Sequence, residues 1–132
     1  MEGSNDRQRV KVYVRLRPQL QNSFGAASAD SSCNENVVET FDTTASTVRL
    51  KVEGGVSKLF HFDGCHGPES TQEEVYETSS KPLVQSVLEG YNASLVAYGM
   101  TGSGKTYTML GKLEVSQQAG VIPRAIATIF EH

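Results

Sequence analysis

Val10, Val12, Val14 and Leu16 alternate with Arg9, Lys11, Tyr13 and Arg15, the two-residue period of a half-buried strand running from Arg9 to Leu16. Pro18 stops it. Ahead of this strand, residues 1 to 8 read as a disordered tail; behind it, Gln19 to Asn36 turns to Ser, Ala, Asn and Asp without periodicity, which is a surface insert. Short apolar-rich runs near Val37 to Phe41, Thr47 to Val52 and Lys58 to Phe62 predict strands. Gly54-Gly55 lies between the last two as in a hairpin, so a small antiparallel lobe is expected here.

The pattern then becomes helical. Thr71-Gln-Glu-Glu74 is a capping box, in which the Thr71 hydroxyl takes the Glu74 N–H and the Glu74 carboxylate reaches back. Pro82 suits the first turn of a second helical piece, whose Leu83, Val84, Val87 and Leu88 share one face before Gly90 ends it. The apolar run Ser94-Leu-Val-Ala-Tyr98 predicts a buried strand. A helix starting at Lys105 is expected to be short, because Gly111 and Gly120 bracket a polar stretch. Pro123 then opens an amphipathic helix carrying Ile126, Ile129 and Phe130, which runs to the last residue, His132.

Composition narrows the class. A chain of 132 residues with 38% hydrophobic and 20% charged positions is at most one ordinary globular domain. Its net charge of −3 excludes a whole-chain electrostatic footprint for nucleic acid, and Arg7, Arg9, Lys11, Arg15 and Arg17 read by themselves as solvated charges beside an edge strand. No apolar run approaches membrane length, so no membrane insertion is expected. The polar N-terminus carries no secretory pattern, which predicts a cytoplasmic chain with an unglycosylated Asn92-Ala-Ser94 sequon. Cys33 and Cys65 lack paired spacing and are expected to be reduced thiols; His61, Cys65 and His66 offer too few ligands for a metal.

Chemistry concentrates at Gly99-Met100-Thr101-Gly102-Ser103-Gly104-Lys105-Thr106, which matches G-x-x-x-x-G-K-[ST] in full and follows the Ser94 to Tyr98 run. Glycines let such a loop curl so that backbone N–H groups converge on phosphate oxygens, and the helix behind it presents its positive end to the same anion. Lys105 is expected to reach the β and γ phosphates and Thr106 to place its hydroxyl on Mg²⁺.

Around this loop the chain resembles a known family. Val14-Arg-Leu-Arg-Pro18, Phe60-His-Phe-Asp63, Gln72-Glu-Glu-Val-Tyr76, Leu88-Glu-Gly-Tyr-Asn92, Ala97-Tyr-Gly99 through Lys105-Thr-Tyr-Thr-Met109, and Gly120-Val-Ile-Pro-Arg124 follow the order and spacing of the N-terminal part of a kinesin motor domain. The resemblance runs from about Arg9 to the last residue and covers less than half of such a domain. It implies an α/β fold, a P-loop NTPase with a mostly parallel central sheet between helices, and ATP with Mg as cofactors. Arg15, Arg17 and Pro18 are similar to the R-x-R-P element beside the adenine ring, and Tyr107 occupies a position whose side chain lies by the adenine. Tyr76 and Tyr91 read as packing residues. Departures are Met100, where kinesins commonly have Gln, and Cys65-His66, where a small aliphatic and an aromatic are usual.

The implied function is the ATP-binding portion of a microtubule-based motor ATPase, microtubule-associated in the cytoplasm. Residues 9–132 would be the incomplete motor segment. The microtubule partner would be met through the C-terminal part of the motor, where the two switch motifs of the family also lie, so no catalytic residue is identified in this chain and the chain by itself is expected to be inactive. Oligomeric state is left open. Two alternatives stand beside the motor: a non-catalytic nucleotide-binding remnant, and a small P-loop nucleotide kinase or GTPase. In kinesins the neighbours of the strand corresponding to Ser94 to Tyr98 come from the C-terminal half. Here that run is therefore expected to lack both partners, at about 1–3 kcal/mol for each buried unpaired backbone group.

Overall fold

The computed structural model describes residues 10–18, 37–52 and 54–131. The expected tail at residues 1 to 8, the Gln19 to Asn36 insert, Arg7, Arg9 and Cys33 lie outside the described residues, as does His132. The chain divides into two units, residues 1–67 and 68–132.

In the first unit the N-terminal strand is shorter than its alternation suggests: β1 is Tyr13–Arg15. Lys11 and Val12 are exposed and outside the ladder. The partner of β1 is a strand that the sequence reading missed, β5 (Gly64–His66), paired in parallel with Tyr13 opposite Gly64 and Arg15 opposite His66. Asp63 fixes this register, because its carboxylate accepts the Val12 N–H at 2.8 Å while its own N–H donates to the Val12 carbonyl at 2.9 Å. The Tyr13 ring lies 6.2 Å from the His66 ring at an interplanar angle of 24° and also covers Gly64, where an added Cβ would stand 2.7 Å from the ring and force it to move.

The antiparallel lobe is present. Strands β2 (Val38–Asp42), β3 (Thr47–Val52) and β4 (Val56–His61) form one sheet in that order. The Asp42 carboxylate closes the first turn by accepting the Thr44 and Ala45 N–H groups, each at 2.8 Å. A bulge between Val38 and Thr40 shifts the side-chain alternation, so that Val38 and Phe41 face the same side three residues apart. These two, with Val14, Leu16, Val48, Leu50, Phe60 and Phe62, line an apolar cavity of about 290 Å³.

In the second unit, Thr71 caps α1 (Gln72–Val75) as expected: its hydroxyl accepts the Glu74 N–H at 3.1 Å, and the Glu74 carboxylate accepts the Thr71 N–H at 2.7 Å. The two helical pieces expected here are joined without a break. A π-helical turn, Tyr76–Ser80, links α1 to α2 (Lys81–Leu88). Pro82 has no N–H to continue the ladder, and the wider turn accommodates it while the Thr78 and Ser79 hydroxyls donate to the Glu74 and Val75 carbonyls at 2.8 and 2.6 Å. After Leu88 the chain ends the helix with the Gly90 N–H on the Val87 carbonyl and the Tyr91 N–H on the Ser86 carbonyl.

Two expectations are corrected beyond this point. Ser94 to Tyr98 is not a strand: it joins no ladder among the described residues, and Val96 and Tyr98 are 84% and 99% exposed. The run has strand composition, but no described segment pairs with it. The last helix, α4 (Val121–Glu131), starts before Pro123 and turns Val121, Ala125 and Thr128 inward, whereas Ile126, Ile129 and Phe130 are exposed. Val121 joins Tyr76 and Val84 in the core of this unit, with Leu88, Leu95 and Ala125 around them. Tyr76 is thus a packing residue, and its hydroxyl meets the Thr128 hydroxyl at 2.6 Å; Tyr91 is exposed.

Candidate functional site

The loop from Gly99 to Gly104 leads into α3 (Lys105–Met109), a helix of one turn and a half whose N-cap is Gly104. Gly104 has φ +102°, a left-handed conformation that an L side chain resists, so the final glycine of the motif is what lets the chain reverse into the helix. At the other end of the loop, a Cβ on Gly99 would stand 2.6 Å from the Ser103 hydroxyl. A side chain there would force the Ser103 hydroxyl aside and would be strained at the Gly99 φ of +156°. Inside it, the Ser103 N–H donates to the Met100 carbonyl at 3.1 Å.

Lys105 sits at the start of the helix, and its ammonium folds back over the loop, donating to the Gly99 carbonyl at 2.7 Å and the Met100 carbonyl at 2.8 Å. A strongly hydrated point charge is thereby held at the mouth of a ring of backbone, next to the electropositive start of a helix. Thr106 and Tyr107 follow on the first turn, both exposed, with Tyr107 at 40%. Glycines at 99, 102 and 104, a lysine held over the loop and a hydroxyl in the next position make a donor set that fits a magnesium nucleotide: N–H and ammonium groups for phosphate oxygens, one hydroxyl for a hard cation that keeps most of its water. Among the described residues no group of three or more His, Cys, Asp or Glu side chains could hold a metal.

Gly99, Met100, Thr101, Gly102, Ser103, Gly104, Lys105, Thr106 and Tyr107 are thus contiguous in the second unit, whereas Arg15, Arg17 and Pro18 belong to the first. Arg15 ends β1, and Arg17 and Pro18 follow it exposed. At the second departure, Cys65 and His66 are both buried in β5, and burial followed by the charge of Asp42 raises the Cys65 thiol pKa. The sequence reading quoted Gln72 in the capping box and the family motif but gave it no role. It is buried, and its side-chain amide donates to the Tyr107 carbonyl at 2.6 Å and to the Gln118 carbonyl at 3.3 Å. Its position directly inside the capping box was the available signal, since that box fixes the backbone from which the side chain projects.

Comparison with known proteins gives the family. The kinesin motor domain family profile matches residues 15–132. Kinesin-like protein klp-20 of Caenorhabditis elegans is 35% identical over 100% of this chain and 19% of its own length. Kinesin-like protein KIF22 of Danio rerio is 42% identical over 97% of this chain and 19% of its own, and Kinesin-like protein KIF27 of Mus musculus is 55% identical over 92% and 8%. The chain therefore spans between 8% and 19% of the length of these relatives.

Proposed function

Because the chain belongs to the kinesin motor domain family, whose members are microtubule motor ATPases, we propose that residues 9–132 form the nucleotide-holding N-terminal segment of such a motor. Gly99 to Gly104 would wrap the phosphates of ATP with backbone N–H groups, and Lys105 would exchange the Gly99 and Met100 carbonyls for β and γ phosphate oxygens. The Thr106 hydroxyl would hold Mg²⁺, which when bound neutralises charge on the phosphates. Arg15, Arg17, Pro18 and Tyr107 would flank the adenine ring by stacking. Microtubule contact and a cytoplasmic, cytoskeletal location belong to the same proposal. No helix among the described residues is long and apolar enough to cross a membrane.

The observation that carries the reading is the placement of the Lys105 ammonium over the loop carbonyls at the start of α3. A plain Gly/Ser turn has no need of a charge held in that place. ATP hydrolysis by the full-length protein, measured with and without microtubules, tests the proposal. Stimulation by microtubules supports it, and turnover indifferent to microtubules overturns the motor assignment while leaving nucleotide binding intact.

A further inference from the structure

Helix α3 has five residues, and so short a helix is not self-supporting in water. Its direction sets where Lys105 and Thr106 point, and so must be fixed from outside. A contact suited to this comes from a residue 35 positions earlier in the chain: Gln72 Nε2 donates to the Tyr107 carbonyl at 2.6 Å. The same amide donates to the Gln118 carbonyl at 3.3 Å, within the short 3₁₀ helix Ser116–Gln118. That segment is tied back in turn, since the Lys112 N–H donates to the Gln118 carbonyl and the Gly120 N–H to the Leu110 carbonyl, each at 2.9 Å.

Gln72 is itself held rigidly. It is 3% exposed and is the first residue of α1, where the reciprocal Thr71 and Glu74 bonds lock the backbone. A buried amide aimed at a carbonyl near the end of a short helix does the work of a cap supplied from another element. An apolar side chain of equal length would fill the same volume and leave the Tyr107 carbonyl without this donor.

We propose that Gln72 is a positioning residue for the phosphate loop, its side-chain amide clamping the Tyr107 carbonyl so that α3 presents Lys105 and Thr106 to the nucleotide. This rests on the nucleotide reading above and adds to it the element that orients the loop from behind.

The test uses the full-length protein. Gln72→Met keeps the length and removes the donor. With one hydrogen bond withdrawn from behind the loop, KM for ATP should rise about five- to tenfold while kcat changes less than about twofold, the pattern of lost uniform binding. A role confined to packing would lower the melting temperature and leave KM in place. A second measurement needs no variant: in protein labelled with ¹⁵N-glutamine, the Gln72 side-chain amide signal should be slow to exchange with solvent and should shift on saturation with Mg·ATP. An unchanged KM in Gln72→Met, or an amide signal that nucleotide leaves unmoved, overturns the clamp. Unmodified protein that binds no Mg·ATP overturns the nucleotide reading itself, and the clamp with it.

Discussion

Gly99→Ala is the sharpest probe of the loop's closure. The added Cβ would stand 2.6 Å from the Ser103 hydroxyl oxygen and 3.3 Å from the Ser103 Cβ. The first separation lies well inside van der Waals contact, and the second requires a shift of a few tenths of an ångström. The Ser103 backbone resists retreat because its N–H is bonded to the Met100 carbonyl at 3.1 Å. Overpacking of this kind costs about 1–3 kcal/mol, which corresponds to roughly 5- to 150-fold in Mg·ATP affinity if the loop must open to accept the methyl group. Equilibrium titration of full-length protein with a fluorescent ATP analogue reads this directly. Gly99→Ala combined with Ser103→Ala removes the overlap with the hydroxyl but leaves the 3.3 Å contact and the strain of an L side chain at φ +156°, so part of the lost affinity should return. Unchanged affinity in the single variant would refute the geometry, and a double variant no better than the single one would refute the steric cause.

Other expectations follow from the same site. Thr106→Asn in the full-length protein should abolish ATP turnover by disturbing the Mg²⁺ ligand, and near-normal rates at saturating ATP would show the hydroxyl to be misassigned. If Arg15, Arg17, Pro18 and Tyr107 hold the base by stacking, competition between ATP and GTP should show only modest preference, and discrimination beyond about a thousandfold would require hydrogen-bond readout of the base edge. Because burial and the Asp42 charge raise the Cys65 pKa, its reactive thiolate is scarcer at neutral pH than that of an exposed cysteine. Alkylation at Cys65 should therefore stay slow as pH rises through the ordinary thiol range and accelerate on unfolding in urea; rapid labelling of the native protein at neutral pH would contradict the burial. The same shift has a small stability consequence. A thiol whose folded pKa is raised favours the folded state least where the unfolded chain ionises, so any contribution from Cys65 is lost as pH climbs above its unfolded value.

Features written within a few residues were legible in the sequence. The Thr71 and Glu74 box, the Gly54-Gly55 hairpin, the stop at Gly90 and the phosphate loop all depend on local backbone chemistry, and the structure places the first three as read. Pairings across long stretches were not legible. Strand β5 has three residues and exists because Asp63 engages Val12, 51 positions away, which no periodicity encodes. The π turn had a signal, three hydroxyl residues, Thr78 to Ser80, just ahead of Pro82, but the sequence alone reads a proline at that place as a new helix start. In α4 the pattern gives which residues share a face, not which face finds a partner, and the less bulky side of Val121, Ala125 and Thr128 packs inward. Ser94 to Tyr98 shows the same limit from the other direction, since apolar composition predicts a strand only where a neighbour is available to pair with it.

For the central claim the decisive comparison is Mg·ATP binding by full-length protein before and after Lys105→Ala. The ammonium lies 2.7 and 2.8 Å from two loop carbonyls, where it can turn to phosphate without leaving the loop. A hydrogen bond to a charged group contributes about 1.5–3 kcal/mol, so the account predicts saturable, magnesium-dependent binding that weakens at least tenfold in the variant. Binding that is absent in the unmodified protein, or equally tight in Lys105→Ala, would contradict the assignment of residues 99–106 as a nucleotide loop.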